Sequence, residues 1–358
     1  MVTNTSPSMP EDIILEDLPQ SIVETVEERN AVIAALPRRS NGEEFLVDYL
    51  QRWQPGQVVR VAFYGGDTQL HKDIADATRQ ITEACNLKFD FGWDAQKSAF
   101  RGWSPEDTSH AAEIRVSFDQ GGYWSLVGTD SVDETIGRPG DAAGGRPNQR
   151  SLNLARFDVA RPQDWIGTTR HEFMHAIAFH HEHQNLNGPC QQEFRWEDDA
   201  GYLPTTTGAG GSFRPDSMGR RPGIYTYLSG PPNRWNKQKV DHNLRAHAED
   251  GNTAGAFDAK SVMLYRFPPL FYKTPNSPCA PLGDGQALSP GDIEGLQYLY
   301  PGTPGAAQLD IDRRMEFVQA LSGPAGAQTP GLESASAPEL DNQRRRLVAS
   351  INRFLSRD

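Results

Sequence analysis

One segment, residues 171–183, constrains the fold and the chemistry of this chain more than any other. It reads H-E-F-M-H-A-I-A-F-H-H-E-H, so His171 and His175 have H-E-x-x-H spacing and His181 follows in the same run. Positions i and i+4 of a helix lie on one face, so the first two imidazoles can bind one ion. Three neutral imidazoles leave one position open on a tetrahedral zinc ion, which lowers the pKa of a water molecule there and polarises a carbonyl. With Glu172 beside the first ligand as a general base, the segment predicts one catalytic zinc ion and hydrolysis of peptide bonds.

Two alternatives to this interpretation stay open on the sequence. If the helix ran straight through Ala178, the third histidine would leave the metal, and a downstream carboxylate such as Glu193 or Glu197 would complete the site. The other alternative is a zinc-stabilised binding domain without catalytic activity, an inactive protease homologue. Glu172 argues against this second alternative, because a structural zinc ion needs no general base.

A second motif, S-V-M-L-Y at residues 261–265, supports the first. Together the two motifs resemble those of the astacin family of metzincin metallopeptidases, which read roughly H-E-L-M-H-A-I-G-F-x-H-E-H and then S-I-M-H-Y. The resemblance implies that zinc is bound by three residues, His171, His175 and His181. It also implies that Glu172 is the general base and acid, that Met263 lies under the site as a hydrophobic base, and that Tyr265 helps to stabilise the oxyanion.

The sequence departs from the family pattern at two positions. Ala178 stands where the family has a glycine, at a sharp turn that needs a positive φ, and alanine costs roughly 1 kcal/mol more than glycine there. Leu264 stands where the family has a histidine. Neither departure removes a metal ligand. We interpret the other histidines nearby, His180 and His183, as surface residues.

The resemblance implies an α+β fold of the metzincin type, with a twisted, mostly parallel sheet, one antiparallel edge strand, an active-site helix and a largely irregular C-terminal subdomain. Alternating apolar residues independently predict strands at 58–64, 87–91 and 114–118. The active-site helix is expected to begin at 162–164 and to end at Ala178. The segment that matches the edge strand bordering the cleft in metzincins consists of Ser151, Leu152, Asn153 and Leu154. A protein or peptide substrate in extended form would pair with its free backbone groups.

The chain divides into three predicted regions. Residues 1–54 are an N-terminal extension or a propeptide, with one helix at 21–36 and another at 45–53. An extension packed on the catalytic domain is favoured over a propeptide that covers the cleft. Residues 55–302 form the zinc metallopeptidase catalytic domain, and residues 303–358 are a Gly/Pro/Ala/Ser-rich linker followed by helices.

Composition and charge argue against other classes of partner. The formal net charge is −12 and the isoelectric point is about 5.3, which argues against a nucleic-acid partner. No apolar run approaches the length of a membrane span. The resemblance implies secretion, yet residues 1–20 contain no hydrophobic core region of a signal peptide, so the localisation stays open.

The cysteines allow at most one disulfide. Cys190 and Cys279 lie in loop-like segments after the histidine motif and could form that bond. Cys85 falls on the apolar side of a predicted helix and is expected to be a buried thiol. Because the disulfide pattern familiar in astacins is not reproduced, the sequence does not establish an oxidising compartment.

Overall fold

The computed structural model describes residues 18–34, 51–206, 211–231, 233–246 and 255–322, together with residues 345, 348 and 349. The predicted helix at 45–53 lies outside the described residues except for its last three positions. The predicted linker and helix after residue 322 lie outside them as well, apart from the three single residues.

A five-stranded sheet dominates the N-terminal part of the described chain. In chain order the elements are α1 (Gln20–Ala34), β1 (Val58–Tyr64), α2 (Thr68–Ala84), β2 (Lys88–Asp90), β3 (Ile114–Ser117), β4 (Tyr123–Ser125) and β5 (Leu152–Leu154). The strand order is β2-β1-β3-β5-β4. The pairing of β5 with β4 is antiparallel and the other three pairings are parallel. The expected α+β fold, with a mostly parallel sheet and one antiparallel edge strand, is confirmed.

The prediction that residues 151–154 form the edge strand is wrong. β5 lies inside the sheet, because it pairs with β3 on one side and with β4 on the other. All four residues are buried. The polar residue Asn153 tolerates burial because its amide donates to the carbonyl oxygens of Gln120 and Gly122, at 3.0 and 2.7 Å. The antiparallel edge strand is therefore β4, and β2 forms the opposite edge.

α2 packs against the core because its apolar residues lie on one face. Leu70, Ile74 and Ile81 recur at helical spacing and are buried. Asp67 caps the N-terminus of the helix, since its carboxylate accepts a hydrogen bond from the Leu70 amide at 2.8 Å. Cys85 follows the helix and is half-buried rather than buried. Burial raises the pKa of its thiol to about 11, so the thiol is a weak nucleophile at neutral pH.

The rest of the described chain consists mainly of short helices and turns. In chain order the elements are α3 (Trp165–His175), α4 (Cys190–Glu193), β6 (Thr205–Thr206), β7 (Phe213–Arg214), α5 (Ile224–Ser229), α6 (Lys237–Leu244), α7 (Pro290–Leu299) and α8 (Ala306–Ser322). β6 and β7 form a separate two-stranded sheet. Among the helices of the described ranges, none combines the length and the apolar character needed to cross a membrane.

Two hydrophobic cores hold these elements together. The main core contains residues of the sheet, α2, α3 and α7, and it includes Trp53, Met263 and Tyr300. The second core contains residues of α4, α5, α6 and the 264–272 segment. It encloses the disulfide Cys190–Cys279, so the bond that the sequence left open is present.

Candidate metal centre and active-site cleft

Three imidazoles converge at the C-terminal end of α3. The Nε2 atom of His175 lies 3.1 Å from that of His171 and 3.0 Å from that of His181. Their metal-binding atoms all lie within 4.8 Å of one another, and the described ranges contain no second group of three or more such side chains. Nitrogens bound to one tetrahedral zinc ion lie about 3.4 Å apart, so the spacing of these imidazoles fits zinc.

The second ring nitrogen of two of these histidines is bound to the backbone. His171 Nδ1 lies 2.7 Å from the Val262 carbonyl oxygen, and His175 Nδ1 lies 2.7 Å from the Phe179 carbonyl oxygen. A carbonyl oxygen only accepts hydrogen bonds, so in both rings Nδ1 carries a proton and donates it. In the neutral rings the Nε2 lone pairs therefore face each other, an arrangement that a shared cation stabilises.

The chain turns sharply after α3. The helix ends at His175, earlier than the predicted end, and Ala178 has a φ of +72°. The sequence predicted this positive φ, and alanine bears a cost of about 1 kcal/mol there relative to glycine. The turn brings His181 back to the first two ligands. The alternative in which the helix continues is therefore wrong, and the Glu193 carboxylate instead accepts from the Thr274 hydroxyl at 3.2 Å.

The other predicted site residues lie in or beside the same region. Glu172, next to His171 on α3, is buried, with 2 % of its surface exposed. Tyr265 packs against two of the three histidines, with its ring centroid 5.2 Å from that of His171 and 4.4 Å from that of His181. Met263 is buried in the main core together with residues of α3. The roles of these side chains stay predictions.

His183 also belongs to this region, and its prediction as a surface residue is wrong. It is 1 % exposed, and its ring stacks on those of His181 and Tyr265, with centroids 5.0 and 5.2 Å away. Its Nε2 atom lies 2.8 Å from the carbonyl oxygen of Asn243 in α6. Because that partner is distant in the sequence, no local pattern marked the histidine as buried.

A carboxylate of α7 holds the loop that orients His171. Asp292 accepts the Ser261 hydroxyl at 2.6 Å and the Val262 amide at 3.0 Å. The Val262 carbonyl is the group that binds Nδ1 of the ligand. Burial raises the pKa of Asp292, and its hydrogen-bond donors partly offset that rise. The His171 ring is thus oriented by a loop that is itself hydrogen-bonded to a helix N-terminus.

A cleft of about 690 Å³ opens beside His175 and His181. β4 and the residues after it line one wall, and α6 lines another. The segment that contains α1 borders the same space, through Leu18, Ile22, Val26, Glu27 and Asn30. The cleft is therefore bounded on one side by the region that the sequence predicted as an extension or a propeptide.

On the β4 side, α1 is held by an apolar contact and a buried ion pair. Ile22 is 1 % exposed and packs with Trp124. Arg29 forms an ion pair with Asp130, and both side chains are buried. Burial raises the pKa of Asp130, and the guanidinium of Arg29 opposes that rise. The amide of Gln51 donates a further hydrogen bond to the same carboxylate at 2.9 Å.

On the α6 side, the contacts of the α1 segment are polar. The Lys239 ammonium donates to the Leu18 carbonyl oxygen at 3.1 Å, and the Gln238 amide donates to the Glu27 carboxylate at 2.6 Å. His242 of α6 also lies 3.6 Å from that carboxylate. The segment containing α1 therefore contacts both walls of the cleft.

Comparison with known proteins finds similarity to solved structures. No protein-family model matches this chain, and the search of curated proteins gives no match either. A structure of myroilysin is 24 % identical and covers 71 % of this chain and 97 % of its own, with a TM-score of 0.47. A second structure of myroilysin is 21 % identical over 75 % of this chain and 96 % of its own, with a TM-score of 0.40.

The search of solved structures also finds a hatching enzyme. High choriolytic enzyme 1, a hatching enzyme zinc-protease from Oryzias latipes (medaka fish), is 16 % identical to this chain. The match covers 74 % of this chain and 98 % of the hatching enzyme, with a TM-score of 0.37.

Proposed function

We propose that this chain is a zinc metalloendopeptidase of the astacin-like metzincin class, with one catalytic zinc ion. The observation that carries the proposal is the convergence of the Nε2 atoms of His171, His175 and His181. Structural zinc sites are closed by four protein ligands, whereas three ligands leave a position open for chemistry. Zinc bound there lowers the pKa of a water molecule and polarises the scissile carbonyl.

Glu172 moves the proton of the reaction in this proposal. Its carboxyl group follows the first ligand on α3 and is withdrawn from solvent. It acts as the base that takes a proton from the attacking water, and then as the acid that gives the proton to the leaving amine. Tyr265, whose ring packs on two ligands, donates a hydrogen bond from its hydroxyl to the oxyanion of the transition state. Met263 supports the ligands from the main core.

An extended peptide is the substrate class that suits the cleft. β4 is one of the two outer strands of the sheet, and Leu126 and Val127, which follow it, line the cleft together with His175 and His181. A peptide added to this edge gains backbone hydrogen bonds and is held straight beside the metal ligands. The substrate therefore binds one strand further out than residues 151–154.

The disulfide supports a role in an oxidising compartment. Cys190 and Cys279 are both fully buried in the second core. Disulfides persist outside the cell and in the secretory pathway, and they are rare in the cytosol, where thiols are kept reduced. We therefore place the protease outside the cytosol, in line with the secretion that the family resemblance implied.

The test is zinc content together with hydrolysis of unfolded casein, in the wild type and in Glu172→Ala. Because Glu172 is not a ligand, both proteins should hold one zinc ion per chain. Only the wild type should cleave casein efficiently, and turnover in Glu172→Ala should fall by about 10²- to 10⁴-fold. In His181→Ala the zinc itself should be lost, because only two of the three proposed ligands remain.

Two outcomes would contradict the proposal in different ways. Unchanged turnover in Glu172→Ala would show that Glu172 is not the general base, and the proposed mechanism would then be wrong. Zinc in both proteins with cleavage in neither would favour the non-catalytic zinc domain, provided that removing residues 1–50 does not produce activity. That removal takes away the wall of the cleft that the α1 segment forms.

A further inference from the structure

The turn between His175 and His181 contains carbonyl groups that α3 cannot satisfy. The last carbonyl groups of a helix have no intrahelical donors, and buried carbonyl groups need partners from elsewhere. Ala176 and Ile177, directly after α3, are both fully buried. Their carbonyl oxygens therefore need donors from other parts of the chain.

Two fully buried side chains supply these donors. The Trp53 indole N–H donates to the Ala176 carbonyl oxygen at 2.8 Å, and the Tyr300 hydroxyl donates to the Ile177 carbonyl oxygen at 2.8 Å. The two residues also contact each other, since the backbone amide nitrogen of Trp53 lies 3.4 Å from the Tyr300 hydroxyl oxygen. Trp53 precedes β1 and Tyr300 follows α7, so the turn is held by residues far apart in the sequence.

The Trp53 donor is itself fixed by α8. Arg52, the preceding residue, pairs with Asp310 of α8 at 2.7 Å, and Arg314 binds the other carboxylate oxygen at 2.8 Å. All three side chains are buried. Moving the indole away from the turn would therefore disturb a buried group of charges, which keeps the donor in place.

The turn that these hydrogen bonds hold is one that its sequence disfavours. Ala178 adopts a φ of +72°, which glycine reaches freely and alanine does not. Without donors on the two preceding carbonyl groups, a negative φ at Ala178 would be favoured. His181 would then move away from His171 and His175.

We infer that Trp53 and Tyr300 are positioning residues for zinc, because they hold the turn that brings His181 to the other two ligands. Neither side chain is a ligand or touches the substrate in this account. The inference rests on the proposed zinc site but not on the proposed hydrolysis. Zinc affinity can therefore test it, including in the Glu172→Ala background.

The experiment measures zinc affinity by competition with a chelator. Tyr300→Phe removes only the hydroxyl donor, and Trp53→Phe removes the indole donor while keeping an aromatic ring. Each should weaken zinc binding by about 10- to 100-fold, as when other groups that orient metal ligands are removed. Ala178→Gly should restore most of the lost affinity in Tyr300→Phe, because glycine adopts the required φ without strain. A rescue larger than the effect of Ala178→Gly on the otherwise unchanged chain separates positioning of the turn from general stabilisation of the fold.

Tyr272→Phe is the matched control, because it removes a buried tyrosine hydroxyl from the second core and should leave zinc affinity unchanged. Circular dichroism and thermal unfolding of the zinc-free proteins establish that each variant is folded. Unchanged affinity in both Tyr300→Phe and Trp53→Phe would contradict the inference. A loss of affinity that Ala178→Gly does not reduce would contradict it equally. A wild type that binds no zinc would instead overturn the proposed function, and this inference with it.

Discussion

The two described segments that precede β1, α1 and residues 51–53, are built into the molecule in different ways. α1 borders the cleft and is attached to its walls, whereas Trp53 is 0 % exposed and belongs to the main core. The sequence predicted both segments as one extension that ends at residue 54. Distance from the N-terminus therefore does not predict which residues can be removed from the chain without unfolding it. The burial and hydrogen bonding of those residues predict it better.

One carboxylate connects the two segments. Asp130 pairs with Arg29 of α1 and also accepts the hydrogen bond from Gln51. A chain that lacks α1 but keeps Gln51 would still have a donor on this buried group. Gln51 thus borders the cleft together with α1, and Trp53, two residues later, belongs to the main core.

Two truncated variants, one that lacks α1 and one that also lacks residues 51–54, should differ most in stability. A variant that begins at Gln51 should fold, bind zinc and cleave casein faster than the full chain, because the wall that α1 forms is gone. A variant that begins at Pro55, the predicted start of the catalytic domain, lacks Trp53 and should fail to fold stably, since losing a buried tryptophan side chain alone costs about 3–5 kcal/mol. Circular dichroism, zinc content and casein turnover measure the outcome. Equal folding of the two variants would contradict the comparison.

Asp310→Ala should have the next largest effect. It removes the carboxylate that binds both Arg52 and Arg314, whose guanidinium groups are buried. We expect the free energy of unfolding to fall by about 3–5 kcal/mol, the usual result of removing one partner from a buried ion pair. Urea unfolding of the zinc-free protein measures it. A loss below about 1 kcal/mol, as at an exposed pair, would mean that packing alone holds residues 51–53.

Arg138→Ala should have the smallest effect. Arg138 lies 3.2 Å from the carboxylates of Glu24 and Glu28 on α1, and all three side chains are half-exposed. Its loss should change the free energy of unfolding by less than about 1 kcal/mol, because exposed ion pairs contribute little. Casein turnover should rise slightly, and more at low salt than at high salt, where the pairs are screened in any case. Turnover that does not change at either salt concentration would show that these pairs do not hold α1.

Features that depend on neighbouring residues could be predicted from the sequence. The i, i+4 spacing placed His171 and His175 on one face of a helix, and the family's glycine position indicated the positive φ of Ala178. The start of α7 is also decided locally, because serine is a favourable residue before the first turn of a helix. The Ser289 hydroxyl accepts from the Asp292 amide at 3.0 Å, and the Asp292 carboxylate accepts from the Ser289 amide at 2.8 Å. Each of these features is decided within one or two turns of chain.

Features that depend on distant partners could not be predicted. Whether residues 151–154 form an edge or an interior strand depends on β4, which pairs with them and is not adjacent in the sequence. The burial of His183 depends on a carbonyl group of α6. Trp53 was placed in the N-terminal extension and not in the catalytic domain, because its partner, the Ala176 carbonyl, lies 123 residues away. Local pattern carries no information on such contacts.

The support of His171 by Val262 and Asp292 also decides when the metal centre can be completed. The imidazole needs a carbonyl group 91 residues further along the chain, and the loop that carries this group needs a carboxylate 30 residues beyond it. Chains are synthesised from the N-terminus, and domains fold as their residues become available. The proposed zinc centre is therefore incomplete until α7 has left the ribosome, so the nascent chain has no assembled zinc site while its earlier segments are still unfolded.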